Sequence, residues 1–151
     1  MAFGAPSLKG RALRLLSQRE HSRSELERKL ARHEEEPGAL ARALDELEAK
    51  DFIREDRVVA SVVHQRAPKL GALRVRQELQ QKGIAPDAIA SAVSGLQASE
   101  LERALALWRR RFGDPPADAK ERARQIRFLM TRGFSGAIAA RVLKNPAEDE
   151  G

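Results

Sequence analysis

The sequence predicts an all-α protein, built as three tandem three-helix repeats that form an elongated, curved array of either hand. Three observations carry this expectation. The first is a recurring passage. Pro37-Gly38-Ala39-Leu40-Ala41-Arg42-Ala43-Leu44 returns as Pro86-Asp87-Ala88-Ile89-Ala90-Ser91-Ala92-Val93 and again as Ser135-Gly136-Ala137-Ile138-Ala139-Ala140-Arg141-Val142, 49 residues apart each time. A period near 50 marks a repeat architecture, in which one unit buries part of its apolar face against the next. The second is composition. Hydrophobic residues make up 42% of the chain, aromatic residues only 4%, and Tyr is absent. Ala, Leu and charged residues dominate, all good helix formers. The only β-branched clusters, Val58-Val59 and Val62-Val63, are spaced for a helix. The third is punctuation at helix ends, taken next in chain order.

The first repeat, 8–54, reads as helices over about 8–20, 23–33 and 37–50. Ser22-x-x-Glu25 is a capping box at the start of its second helix: the hydroxyl accepts from a free amide and the carboxylate returns to the cap. Glu34-Glu35-Glu36 stands where the other repeats carry Gly, so this helix is expected to end less sharply. The second repeat, 55–98, reads as helices over about 56–67, 70–82 and 86–97. Gly83 follows Lys82 and precedes Ile84, as Gly133 follows Arg132 and precedes Phe134. That is the form of a left-handed helix terminus with an apolar contact behind it. Pro86 suits a helix's first turn, where no amide partner is needed.

The third repeat, 99–145, reads as helices over about 100–112, 118–132 and 135–144. Ser99-x-x-Glu102 offers a second capping box. Leu101, Leu105, Trp108 and Phe112 fall on one helical stripe, which makes Trp108 a core residue. Ala119, Ala123, Ile126 and Met130 are expected to do the same on the next helix. Residues 1–7 and 146–151 are expected to be flexible ends. Helices this short are marginal alone in water, so packing within and between repeats must hold them.

The 151 residues carry a net charge of +6, of which +4 falls in residues 101–151 even with the acidic Glu148-Asp149-Glu150 tail. A basic excess of this kind suits a polyanionic partner. The chain contains no Cys, which excludes disulfides and thiolate metal sites. No apolar run approaches the ~18 residues of a membrane span, and MAFGAPSLKG lacks a signal core. The expectation is a soluble, cytoplasmic monomer with no membrane contact. His21, His33 and His64 lack ligand spacing and read as ordinary surface or half-buried residues, with no metal or cofactor expected. Carboxylates pair with basic neighbours at helical spacing, as in Glu25–Lys29. No phosphate-binding Gly-Lys-Ser/Thr loop and no catalytic constellation is visible, so no enzyme activity is expected.

The candidate site is a basic set. In the second repeat Arg66, Lys69, Arg74, Arg76 and Lys82 surround one interhelical connection. In the third, Arg109 and Arg110 (with Arg111 after them) end one helix; Lys120, Arg124 and Arg127 line the face opposite Ile126 on the next, and Arg132 ends it. The planar fork of Arg donates two parallel hydrogen bonds to phosphate or carboxylate. Aromatics are too scarce for sequence-specific reading of single strands. Residue chemistry alone leaves two readings open: a module that docks on another protein, and a basic architectural or helix-turn-helix protein acting directly on DNA.

Several passages, taken in order, resemble a known family. Arg66-x4-Gly71-x3-Val75-x2-Glu78-Leu79-x2-Lys82-Gly83-Ile84 resembles the central signature of the RecX family, bacterial modulators of the RecA recombinase. Ser24-Glu25-Leu26-x2-Lys29-Leu30 is similar to its first-repeat motif, and Asp51-Phe52-Ile53-x2-Asp56-x5-Val62 to its link into the second repeat. Lys120-Glu121-Arg122 and Arg127-Phe128-Leu129-x2-Arg132-Gly133-Phe134-Ser135 are similar to its third repeat. The likeness runs over roughly residues 8–144. The family often has Gly near Lys50-Asp51 and an aromatic near Val59, and this chain has neither. The resemblance implies a protein that binds along the RecA filament on single-stranded DNA. It also implies that filament growth is blocked or disassembly promoted, and that strand exchange, ATPase and coprotease activities fall, as part of recombination, DNA repair and the SOS response. No catalysis by the chain itself is implied.

Overall fold

The computed structural model describes residues 5–144, and among them it contains nine α-helices and no strand. In chain order these are α1 (Leu8–Gln18), α2 (Arg23–Leu30), α3 (Ala39–Ala49), α4 (Glu55–Arg66), α5 (Ala72–Gln81), α6 (Pro86–Gln97), α7 (Glu100–Arg111), α8 (Ala119–Thr131) and α9 (Gly136–Lys144). α2 does not stop cleanly; one 3-10 turn, Ala31–His33, follows it where the glutamate run replaces glycine. Apart from residues 5–7, the expected flexible ends lie outside the described residues, as does the acidic tail. Within that remainder, Ser7 caps α1 by accepting from the Gly10 amide at 3.0 Å.

Three helix triplets enclose three separate cores. The first gathers Ala12, Leu26, Leu30, Leu40, Leu44, Leu47 and Ile53. The second gathers residues from Val58 to Leu96, with Val75 and Leu79 fully buried. The third surrounds Trp108, Leu129, Phe134 and Val142. The stripe on α7 is as expected, with Leu105 and Trp108 buried.

The stripe on α8 is not. Ala119, Ala123 and Met130 are exposed, and the buried face is Gln125 with Leu129, roughly a quarter turn away. Gln125 is drawn inward because its Oε1 accepts from Trp108 Nε1 at 2.8 Å, satisfying the one polar atom of a buried indole. Lys120, Arg124 and Arg127 stay exposed, now opposite Leu129.

The end signals can be checked bond by bond. Ser22–Glu25 forms the full capping box. Ser99–Glu102 does not: Ser99 has ψ 3°, nearly helical, so α6 passes almost directly into α7 and the hydroxyl donates back to the Leu96 carbonyl. Gly83 and Gly133 take φ +72° and +96°, and in both cases the next amide (Ile84 or Phe134) reaches back to Leu79 or Leu129 at 3.1 Å. This is the left-handed terminus read from the sequence, with Ile84 and Phe134 buried behind it. Asp51 has φ +63° and closes α3 the same way, Phe52 N bonding Leu47 O at 2.9 Å.

The two junctions between triplets repeat one geometry. The C-terminal turn of α5 sits on the N-terminus of α2, and that of α8 sits on the N-terminus of α5. The Lys82 carbonyl accepts from Ser22 Oγ; its counterpart, the Arg132 carbonyl, accepts from the Gly71 amide at 2.7 Å. The second helices of the three units therefore run head to tail, and each negative C-terminal end meets a positive N-terminal one. A buried carboxylate completes each junction. Glu25 accepts from Arg19 at 2.7 Å and from Lys82 at 3.2 Å, while Lys29 instead reaches His21 at 3.0 Å; the expected Glu25–Lys29 pair does not form. Glu100 accepts from the Ala72 amide and from Arg103, capping α5 across the junction.

Candidate functional site

The second junction sets the site. Arg103 on α7 donates to the Ala67 and Leu70 carbonyls at 2.9 and 2.8 Å and so ties the α4–α5 connection to α7. One to two turns further along α7, Leu107, Arg110 and Arg111 face that same connection, and Arg132 arrives from the end of α8. Together with Arg66, Lys69, Leu70 and Phe128 they line a hollow of about 450 Å³. Five cations surround it, and no carboxylate is in its lining. A second hollow of about 350 Å³ shares Arg111, Phe128 and Arg132 and adds Phe112, Arg124, Arg127 and Thr131. The three shared residues place the two side by side, so the basic surface runs from the α4–α5 connection across α7 to the outer side of α8.

Aromatic rings hold these cations in place. Phe112 and Phe128 meet edge to face, centroids 5.3 Å apart. The Arg111 guanidinium lies over both, at 5.0 and 5.8 Å. Arg132 stacks over Phe128 at 5.0 Å and Arg124 over Phe112 at 5.5 Å. A guanidinium stacked on a ring keeps its N–H edges free to donate, and stacking reduces the rotamer entropy lost on binding. Partial neutralisation comes from Glu78, 2.8 Å from Arg66, and Glu121, 3.2 Å from Arg124. The arrangement can present oriented, paired N–H donors to a run of phosphate or carboxylate groups.

Arg66, Lys69, Arg110 and Arg132 are thus brought together from elements far apart in sequence, with Arg124 and Arg127 beside them. Arg74 and Lys82 belong to the junctions instead: Arg74 donates to the Thr131 carbonyl at 2.9 Å, and Lys82 is engaged with Glu25. Arg76, Arg109 and Lys120 are exposed on α5, α7 and α8 and line neither hollow. Arg111, which the sequence reading left outside the site, bridges both hollows. Its signal was present in the pairing of the Arg109–Arg111 run with Phe112 and Phe128. Among the described residues, no cluster of His, Cys, Asp and Glu could hold a metal, and no helix is long and apolar enough to cross a membrane.

The three triplets match three family models in order: RecX, first three-helix domain, over residues 9–47; second, over 55–93; third, over 98–143. The chain belongs to the RecX family. A regulatory protein RecX from Leptothrix cholodnii is 56% identical over 146 residues, 95% of this chain and 93% of that one. Another from Ralstonia nicotianae is 49% identical over 138 residues, 91% and 87% of the two chains. The crystal structure of RecX from Lactobacillus salivarius superposes with a TM-score of 0.76 over 91% of this chain and 93% of that one; at 21% identity this likeness concerns the fold. Within the RecX arrangement, the basic face lies where the second domain meets the third. The relatives' shared name makes this chain a member of a regulatory family.

Proposed function

We propose that this chain regulates the RecA recombinase by docking on its filament on single-stranded DNA through the basic face between the second and third repeats. Docked there, it limits filament growth, and strand exchange, filament ATPase and coprotease activity fall with it. The chain acts as a monomer in the cytoplasm and performs no catalysis of its own. The observation that carries this reading is the convergence of Arg66, Lys69, Arg110, Arg111 and Arg132 on one hollow with no carboxylate in its lining. In a member of a regulatory family, such a face suits a partner that presents acidic side chains together with a phosphate backbone. Three units in series hold that face at a fixed distance from the first repeat, so a long partner can be followed rather than touched at one point.

The test is RecA-driven strand exchange with increasing amounts of this protein. The expected result is inhibition at substoichiometric ratios to RecA. No effect at stoichiometric excess removes the proposal.

One observation favours a second reading, direct action on bare nucleic acid: the Phe112–Phe128 pair with its stacked arginines also suits an exposed single strand. Affinity for the oligonucleotide alone, compared with affinity for the filament at the same salt, separates the two. Filament affinity that is no higher favours the second reading.

A further inference from the structure

A second basic hollow lies on the first repeat, distant in sequence from the face just described, and the regulatory proposal does not use it. α1 presents Arg11, Arg14 and Gln18 at i, i+3 and i+7, one helical face. The end of α2 and the turn after it present Arg28, Lys29, Arg32 and His33. The two sets face each other across a hollow of about 590 Å³, floored by Leu15 and Leu30, with no carboxylate in its lining. The volume falls in the range of pockets that take small molecules.

The charge there is poorly compensated from within. Arg28 donates to the Gln81 carbonyl at 2.7 Å and Lys29 to His21 at 3.0 Å, both uncharged acceptors. Arg32 Nε donates to His33 Nε2 at 3.3 Å. Among the described residues, carboxylates of the first repeat pair instead with Lys9, Arg19, Arg23, Arg42, Arg57 and Lys82, none of which lines this hollow. The His33 pKa is lowered, first by loss of solvent and then by the Arg11 and Arg32 charges gathered beside it. Like charges gathered in a concavity cost folding free energy unless a ligand repays it. With no Phe, Tyr or Trp in the lining and six basic or imidazole side chains around it, the hollow suits clustered phosphate oxygens, which accept from several N–H donors at once.

We propose that Arg11, Arg14, Arg28, Lys29, Arg32 and His33 form a second site, for clustered phosphates, that is filled independently of the face between repeats two and three. Two sources share that chemistry: a free polyphosphate chain and the backbone of a nucleic-acid strand.

The test is NMR on the isotope-labelled full chain, titrated with sodium tripolyphosphate and, separately, with an oligo-dT strand. Amides of residues 11–18 and 28–33 and the His33 ring are followed. Saturable shifts there with tripolyphosphate alone assign the free-phosphate source; shifts with oligo-dT assign the backbone source. In Arg14→Glu/Arg32→Glu, two exposed positions, affinity at this site is expected to fall at least about tenfold. Shifts at Arg110 and Arg132 should be retained in that variant. Shifts confined to residues 66–70 and 107–132, or first-repeat shifts unchanged in the double variant, overturn the proposal. Because the filament is absent from the experiment, failure here leaves the regulatory reading standing.

Discussion

At the scale of single residues, Glu25 is the most consequential side chain. Burial alone would raise its pKa, but hydrogen bonds from Arg19, the Ser22 amide and Lys82 outweigh that and hold it at about 2. Its folded pKa therefore lies below the ordinary 4.5. The stability it contributes is complete above that ordinary value and is lost as pH falls towards 2. His21, buried between the Arg19 carbonyl and Lys29, has a lowered pKa: burial lowers it most, the hydrogen bond to the Arg19 carbonyl opposes this, and the Arg19 and Lys29 side-chain charges lower it further. It adds stability that is complete above its ordinary 6.5 and declines below it. Urea unfolding followed from pH 7 to pH 3 should thus show two losses, one starting below 6.5 and one below 4.5. Glu25→Gln should cost on the order of 3 kcal/mol at pH 7 and progressively less towards pH 2, where the wild-type carboxyl also becomes protonated. An equal cost at both ends contradicts this account of the first junction. Lys82 belongs to the same cluster, so Lys82→Glu should lower stability as well as any binding, unlike a change at exposed Lys120.

At the scale of elements, the helices were legible because their boundaries rest on local chemistry. Gly83, Gly133, Pro86 and Ser22 each act through bonds within a few residues, and the structure uses all four as read. The α8 face was not legible. Gln125 is polar, and partners outside its own helix, Trp108 and the Asp114 carbonyl, give it a reason to be buried. Gln125→Leu should therefore destabilise by about 1–3 kcal/mol although it raises hydrophobicity, because the Trp108 N–H loses its acceptor. The Trp108 fluorescence maximum should shift in the same variant. Ser99 failed as a cap for a similar reason: α7 follows α6 so closely that no extended residue separates them. Gly95, in the last turn of α6, has nothing within 4 Å of where a Cβ would stand. Gly95→Ala should raise stability by about 0.5–1 kcal/mol, read as a higher Tm.

At the scale of the whole molecule, the site exists only because the junctions fix one unit against the next. A Cβ on Gly71 would fall inside contact distance of the Gly133 backbone, and one on Gly133 would meet Arg74. Gly71→Ala should cost about 3 kcal/mol or more and loosen the third unit from the second, since backbone is pressed on backbone with no side chain to yield. Hydrogen exchange of the Gly71 and Leu73 amides, which bond Arg132 and Gly133, would report that loosening directly. This is also why the site was only half visible in the sequence. The arginines could be named, but which of them share a hollow depends on contacts between residues some sixty positions apart, and those contacts divided the set: Arg66, Lys69, Arg110 and Arg132 converge, Arg74 and Lys82 are taken up in the joints, and Arg11, Arg14 and Arg32 form a separate group that no recurring motif marked. The measurement that bears most directly on the account is the affinity of Arg110→Glu/Arg132→Glu for RecA filaments on single-stranded DNA, set beside wild type and an Arg76→Glu/Lys120→Glu control. The account predicts at least a tenfold loss for the first pair and near-wild-type binding for the control; equal affinity for all three proteins would contradict it.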